Sequence, residues 1–373
     1  MSNILFKLFT ISVVIVLFGC ATHEYNNSII TGYDNRKLEN GEGLTIKEFH
    51  IVELELSSEC VLSYPQKIDY KDSLILILDD NRLLVFNEKG KFLRRIGKRG
   101  HGKGEYINLS SYYIDDDKNI VIIEGYKNSL ITYTTNGIFL KEDKLKNEKI
   151  AYIHYASNIG HDSVFINSKI MPCDDNAVYS FLNSREAYGN TFVKTHMRSN
   201  GGGEYIGKHS FSHYNGIIRY VMPFDNILFS VNGQNNIEIQ TNEKMFDDDE
   251  KENINNFGIN TYADALNKNI FVGFTDVFET AEHIFVACHN LEYTLIDKNN
   301  NTCRKYDYLN REKYSNLPLI NIMSTNGDYL IGMLAPDYLK NTKEWNRKNK
   351  FLNMLMKYKN DTEGNYKILV YKL

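Results

Sequence analysis

An internal repeat with a period of 47 residues limits this chain to folds that are built from repeated units. Residues 81–86 and 90–93 read Asn-Arg-Leu-Leu-Val-Phe and Gly-Lys-Phe-Leu, and a matching pair of segments begins 47 residues later, at 128–133 and 137–140. In both copies two apolar runs flank a four-residue turn that ends in glycine. Glycine adopts positive φ without steric cost, which lets such a turn close a hairpin. The repeat therefore predicts strand–turn–strand units arranged in series.

A shorter pattern extends the same period along the chain. A polar pair followed by three apolar or aromatic residues begins at residues 72, 118, 162, 225, 282 and 327, with intervals of 46, 44, 63, 57 and 45 residues. These intervals are close to the length of a four-stranded blade, and the longer ones leave room for insertions. We expect an all-β fold: a six-bladed β-propeller with four-stranded antiparallel blades, with insertions at 245–269 and 338–357, the second containing a short helix.

The two ends of the repeat region are expected to pair. Residues 366–371 read as a final strand, and residues 51–56 mostly alternate apolar and acidic side chains. A propeller often closes its ring by joining strands from both termini in one blade, so that no sheet edge stays open. We expect residues 46–373 to form one propeller domain closed in this way.

The first twenty residues are typical of a targeting signal. Lys7 precedes an apolar stretch that is too short to span a bilayer comfortably, and residues 17–21 read Leu-Phe-Gly-Cys-Ala. This ending resembles the bacterial lipobox, in which a small residue precedes a cysteine that is lipidated. We predict a lipoprotein signal peptide over residues 1–19, lipidation at Cys20 and a lipidated tether over residues 20–45. An ordinary secretory signal with an incidental cysteine is the alternative.

Composition limits the classes of partner. Lys and Arg number 43 and Asp and Glu number 47, for a formal charge of −4, which argues against binding to a phosphate backbone and hence against nucleic acid. Four further cysteines, Cys60, Cys173, Cys288 and Cys303, have no zinc-binding spacing. Three disulfide pairings among them are open, and burial as small apolar residues is the default.

Residues 51–140 resemble a known family. Residues 55–58 (Glu-Leu-Ser-Ser), 85–93 (Val-Phe-Asn-Glu-Lys-Gly-Lys-Phe-Leu) and the glycine-rich stretch 96–106 carry the resemblance. They are similar to six-bladed β-propeller lipoproteins of Bacteroides-type bacteria, which are related in shape to NHL propellers. The resemblance implies an exported propeller at the cell envelope and implies no reaction.

The glycine-rich stretch 97–104 superficially suggests a phosphate cradle. Such a cradle needs a following helix whose amides point at the anion, and here Glu105 leads toward another strand. We interpret the stretch as a turn between blades.

Candidate metal sites have little support. His209 and His213 stand four residues apart with Glu204 nearby, but the intervening residues disfavour a helix and no HExxH pattern is present. Residues 247–250 are acidic without the spaced acids of a calcium loop, so a solvated insertion is expected. We predict no metal and no other cofactor.

Several tyrosines are candidate ligand contacts. A flat ring with a hydroxyl group can stack on a sugar or another planar ligand, although tyrosines at such positions often pack between blades instead. The candidates lie near predicted loops or blade-entry positions, where we expect them to be exposed: Tyr106, Tyr112, Tyr113, Tyr126, Tyr205 and Tyr214.

Two functional hypotheses follow. No catalytic signature such as GxSxG is present, which favours a binding or scaffolding module, lipid-anchored at the cell envelope, over an enzyme. Its ligand would be a glycan, a peptide or an envelope protein, and its membrane the outer membrane, with either periplasmic or surface exposure. The alternative is a calcium-dependent propeller hydrolase or lactonase, to which Asp69, Asp115, Asp116 and Asn158 could contribute ligands.

Overall fold

The structure is a computed structural model that describes residues 34–40, 46–127, 129–144, 150–160, 163–170, 177–183, 188–194, 209–222, 224–230, 235–247, 250, 259–288, 292–307, 322–337, 339, 350–361 and 363–373. The predicted signal peptide, Cys20, Cys173, Glu204 and Tyr205 lie outside these ranges. Within them the chain is almost entirely β-structure.

Two strands precede the first array, β1 (Asp34–Asn40) and β2 (Glu48–Glu53). The first array contains β3 (Pro65–Lys71), β4 (Leu74–Asp79), β5 (Arg82–Asn87) and β6 (Phe92–Ile96). The second contains β7 (Leu109–Ile114), β8 (Ile120–Glu124), β9 (Ser129–Tyr133) and β10 (Phe139–Lys144). The third contains β11 (Ile150–Gly160), β12 (Ser163–Ile170), β13 (Ala177–Asn183) and β14 (Tyr188–Lys194).

The second half of the chain continues the same plan. The fourth array contains β15 (Phe211–Tyr214), β16 (Ile217–Tyr220), β17 (Ile227–Ser230) and β18 (Ile237–Gln240). The fifth contains β19 (Phe274–Glu279), β20 (His283–Cys288), β21 (Glu292–Asp297) and β22 (Thr302–Asp307). The sixth contains β23 (Ile322–Asn326), β24 (Tyr329–Leu334), β25 (Lys367–Lys372) and β2. Two short helices interrupt the pattern, α1 (Ile259–Asn267) and α2 (Lys350–Met356).

Every array is an antiparallel meander whose strands pair in chain order, except that β2 completes the sixth. Middle strands such as β4 (Leu-Ile-Leu-Ile-Leu-Asp) are buried on both faces, whereas the outer strand β6 alternates half-buried and exposed residues before it ends at buried Ile96. Core clusters lie between neighbouring arrays, since Leu76 of the first packs with Tyr112 of the second. Consecutive four-stranded sheets packed face to face make the fold propeller-like.

Pairing of the two ends is confirmed. Strand β2 pairs antiparallel with β25, with Ile51 opposite Leu369, and β25 continues into β24 and β23. Leu369 is completely buried, so the closing strand contributes to the core as well as to the hydrogen-bond ladder.

The 47-residue repeat is also confirmed. Its two copies are β5–β6 and β9–β10, the third and fourth strands of adjacent arrays. The turn glycines Gly90 and Gly137 have φ values of 80° and 83°, which explains why glycine recurs there. The glycine-rich stretch 97–104 links β6 to β7 and therefore connects two arrays, as interpreted from the sequence.

The shorter pattern marks equivalent positions except in the fourth array. Elsewhere its apolar part begins the second strand, but residues 225–229 lead into β17, the third strand. The equivalent turn there is Asn215-Gly216, with φ values of 47° and 77°. An Asn-Gly pair closes a tight turn without the polar–apolar pattern, so the sequence spacing misplaced this position.

The N-terminal segment differs from the expected tether. Residues 34–40 form β1, which pairs in parallel with β18 and β22 and so joins the outer edges of the fourth and fifth arrays into one nine-stranded sheet. Two exposed outer edges facing each other can accept one extended strand between them, an opportunity that a local sequence pattern does not reveal. Among the described residues no helix is long and apolar enough to cross a membrane.

Candidate functional site

A cavity of about 580 Å³ lies where the first strands of the six arrays meet. It is lined by residues of β3, β7, β11, β15, β19 and β23 and by the turns that follow β7 and β15. We call it the central cavity. Its volume is in the range of pockets that hold small ligands.

The floor of the central cavity is apolar and aromatic. Tyr113, Phe211, Phe278 and Met323 line it, and each is only 4% exposed. They come from four different arrays, so the floor exists only when the arrays are assembled. A surface of this kind binds the apolar part of a ligand.

Lys67 is a buried cation beside the floor. Its Nζ donates a hydrogen bond to the carbonyl oxygen of Tyr112 at 2.7 Å and lies 3.6 Å from Oδ2 of Asp69 and 4.5 Å from the centroid of the Tyr112 ring. Burial lowers the pKa of Lys67, and the charge and hydrogen bond of Asp69 oppose that shift. The lysine is thus held in place by protein groups.

Two aspartates of the rim are engaged by protein groups. Asp115 accepts hydrogen bonds from the backbone N of Asn119 at 2.7 Å and from its Nδ2 at 3.2 Å, which holds the turn before β8. Asp116 accepts a hydrogen bond from Nδ2 of Asn158 at 2.7 Å, which links the second array to the third. These carboxylates stabilise the rim.

Lys71 and His213 form the other side of the rim. Both are exposed and line the central cavity, Lys71 at the end of β3 and His213 on β15. Neighbouring protein atoms partly desolvate the His213 ring, although the residue keeps contact with solvent, and this lowers its pKa. The positive charge of Lys71 lowers the pKa further, and Glu279 opposes the shift. Within the described part of the chain Lys71 has no carboxylate within ion-pair distance, whereas Lys118 is paired with Asp72 at 3.1 Å.

The proposed calcium ligands do converge on one place. Asp69, Asp115, Asp116 and Asn158 all border the central cavity. Three lysines stand among them, however, and the described residues contain no group of three or more His, Cys, Asp or Glu side chains placed to hold a metal. The calcium alternative gains no support from this arrangement.

The histidine pair lies at the same cavity without a helix. His213 is on β15, and His209 precedes that strand, with its backbone N donating to Oδ1 of Asp276 at 3.0 Å. The His209 ring lies 5.3 Å from the ring of Phe278. Glu204, the third candidate, is outside the described residues.

Two of the predicted tyrosine contacts are interior residues. Tyr106 and Tyr112 are completely buried. The Tyr106 hydroxyl accepts a hydrogen bond from Nη2 of Arg95 at 3.0 Å, and the Tyr112 hydroxyl donates to the carbonyl oxygen of Leu76 at 3.1 Å. The expectation that these rings are exposed is wrong, because each fills the space between the first two arrays.

The other tyrosines have different surroundings. Tyr113 lines the central cavity, and Tyr214 is half-buried with its ring centroid 4.5 Å from Nζ of Lys298. Tyr126 is 76% exposed in the turn between β8 and β9, and Tyr205 is outside the described residues. A ligand role for Tyr113, Tyr205 and Tyr214 stays a prediction.

Sequence reasoning missed Lys67, Lys71 and, apart from Tyr113, the residues of the floor. The signal for the lysines was present, since residues 67, 69 and 71 are charged at every second position of β3 and so share one face of the strand. Phe211, Phe278 and Met323 carry no such signal, because an apolar residue on a first strand reads as core in any β-protein.

Two solved structures resemble this fold. A presumed exported protein of Bacteroides fragilis is 20% identical with a TM-score of 0.71, and the alignment covers 91% of this chain and 99% of that one. A member of the DUF4221 family from Bacteroides vulgatus is 10% identical with a TM-score of 0.53, covering 88% and 96%. At these identities the similarity establishes the fold alone.

Sequence comparison gives the family. No curated protein matches the chain significantly. One family profile does match, over residues 29–372, which include β1, the closing strand β25 and all strands that line the central cavity. The chain therefore belongs to the family described as domain of unknown function DUF4934.

Proposed function

We propose that this chain is a lipid-anchored, six-bladed β-propeller of the cell envelope that binds a ligand in its central cavity. Its ligand is a glycan, a peptide or a segment of an envelope protein. The observation that carries the proposal is the convergence of six first strands on one cavity with an aromatic floor and a polar rim.

The blade count rests on the pairing of the described strands. The six four-stranded arrays follow one another along the chain, and β2 joins the sixth array to complete it. Contacts between β3 and β23 bring the first and last arrays together, as a closed ring requires.

The location rests on the N-terminal sequence. Residues 17–21 have the form of a lipobox, and the similar Bacteroides fragilis protein is described as exported. An anchor at Cys20 would be followed by only a short segment before β1, which is part of the propeller sheet. The propeller would therefore sit close to its membrane.

The binding proposal is tested by filling the cavity. Ser324 lines it on β23, so Ser324→Trp places a large ring inside, while Ser324→Ala is the matched control. The purified full chain and both variants are screened by thermal melting against glycans, peptides and small organic acids. A ligand that binds only the folded state raises the Tm in proportion to its occupancy.

We expect at least one compound to raise the Tm of the wild type and of Ser324→Ala but not that of Ser324→Trp. Circular dichroism verifies that the tryptophan variant is folded. Ligands that stabilise all three proteins equally would bind elsewhere and would contradict the assignment of the site to the central cavity.

A further inference from the structure

The charged groups of the central cavity differ in how far the protein already satisfies them. Asp115 and Asp116 accept hydrogen bonds from Asn119 and Asn158, and Lys67 donates to the Tyr112 carbonyl group. Lys71 is the exception, because it lines the cavity without a carboxylate partner among the described residues. A negatively charged ligand would therefore complement the charge of Lys71 at the rim.

His213 adds a second donor to the same rim. It lies on the first strand of the fourth array, while Lys71 ends the first strand of the first array, so the two side chains approach the cavity from different sides. Lys71 is near enough to lower the pKa of His213. An anion between the two groups would be attracted by the Lys71 ammonium group and would accept a hydrogen bond from the His213 imidazole.

The charge of the ligand is limited by the neighbouring acids. Asp69, Asp115 and Asp116 also border the cavity, so a dianion such as a phosphate monoester would gain from Lys71 and be repelled by three carboxylates. A cationic ligand would be repelled by Lys67, Lys71 and Lys118, and Asp115 and Asp116 already accept hydrogen bonds from protein groups. A single negative charge fits this rim best.

The floor defines the rest of the ligand. Phe211, Phe278 and Met323 present buried apolar surface below the rim. Such a surface favours an apolar body and offers few hydrogen bonds to a polyhydroxylated one.

We propose that the central cavity recognises a small monocarboxylate with an apolar body, whose carboxylate lies between Lys71 and His213 and whose body contacts Phe211 and Phe278. This inference rests on the proposed binding function and narrows its ligand class. It assigns Lys71 and His213 as residues that determine ligand specificity.

The test uses two matched probes, 4-phenylbutyrate and its neutral amide, titrated calorimetrically into the full chain at pH 7. We expect the acid to bind at least about tenfold more tightly than the amide. Lys71→Met should reduce the affinity for the acid to that for the amide. The control Lys89→Met removes an exposed lysine in the turn between β5 and β6, away from the cavity, and should change neither affinity.

A second pair of probes tests the apolar body. D-glucuronate carries a carboxylate on a polyhydroxylated ring, and glucose is its neutral counterpart. We expect glucuronate to bind at least about tenfold more weakly than 4-phenylbutyrate. Equal binding of the two acids would overturn the apolar part of the proposal.

The remaining outcomes separate this inference from the function it rests on. Equal binding of acid and amide to the wild type, lost in Ser324→Trp, overturns carboxylate recognition and leaves the cavity as a binding site. Binding of the acid that survives Lys71→Met also overturns it. If 4-phenylbutyrate still binds to folded Ser324→Trp, both proposals are contradicted. If neither 4-phenylbutyrate nor its amide binds, only the monocarboxylate inference is overturned, because the thermal-melting screen tests binding in the central cavity independently.

Discussion

Nε of Arg219 lies 2.8 Å from Oε2 of Glu279, and this ion pair joins the fourth array to the fifth. The side chains are 7% and 1% exposed. Glu279 also accepts from Nζ of Lys298 at 2.6 Å, so one buried carboxylate is matched by two cations. The backbone N of Glu279 donates a hydrogen bond to Oγ of Ser212 at 3.1 Å, which links the network to β15, the strand that carries His213 at the cavity rim.

We expect Glu279→Gln to destabilise the protein by about 3–5 kcal/mol, because it leaves Arg219 as a buried charge without its partner. Urea unfolding followed by circular dichroism measures the change. Lys98→Met is the control: its pair with Glu105 is exposed at the lysine, so its removal should cost less than about 1 kcal/mol. Equal losses in the two variants would contradict a special role for the buried pair.

The two copies of the repeat provide a matched test of backbone packing. Gly90 and Gly137 occupy equivalent turns with nearly equal positive φ. A Cβ atom at Gly90 would lie 2.0 Å from the backbone oxygen of Glu53, whereas at Gly137 the nearest atom is 3.6 Å away. We expect Gly137→Ala to cost about 1–2 kcal/mol from its backbone conformation alone. Gly90→Ala should cost at least about 1 kcal/mol more, because the closing strand β2 must move. Equal unfolding free energies for the two variants would refute this close approach.

Stability should depend on pH through Lys67. The pKa of Lys67 is lowered in the folded state, whereas in the unfolded chain it is about 10.4. At a pH between these two pKa values the unfolded state binds more protons than the folded state. The stability of the wild type relative to Lys67→Met should therefore rise as the pH is raised through this window. Chemical unfolding of both proteins from pH 7 to 10.5 measures the difference. Parallel pH profiles would show that Lys67 titrates in the same way in both states.

Lipidation at Cys20 predicts where the protein fractionates. We expect the wild type in the membrane fraction of a bacterial host with lipoprotein processing, labelled by a fatty acid analogue. Cys20→Ala should lose the label and appear in the soluble fraction, because firm attachment needs the acyl chains. Cys60→Ala, which removes a buried thiol, is the matched control and should keep the label. An unlabelled wild type would instead support an ordinary secretory signal.

Chelation tests the calcium alternative. Because Lys67, Lys71 and Lys118 stand among the cavity carboxylates, we expect EDTA to leave the Tm unchanged and elemental analysis to find no stoichiometric calcium. Near-stoichiometric calcium whose removal lowers the Tm would contradict this expectation. It would justify a screen for lactone and ester hydrolysis.

Much of the architecture follows from local sequence. The 47-residue repeat places equivalent hairpins at β5–β6 and β9–β10 because turn chemistry and apolar runs act within a few residues. The closing pair of β2 and β25 was likewise predictable, since residues 51–56 and 366–371 both have strand patterns and open edges must be covered.

The site and its surroundings depended on the tertiary structure. Tyr112 fills the core, whereas the next residue, Tyr113, lines the cavity. Successive residues of a strand point to opposite faces, and only the assembled arrays decide which face is open. No local sequence signal therefore distinguishes the two tyrosines. The docking of β1 between two outer strands and the placement of Lys71 and His213 at one cavity bring together residues that are far apart in sequence. Local sequence patterns specify the repeated strands and their turns, whereas the packing of the arrays against one another places particular side chains in the central cavity.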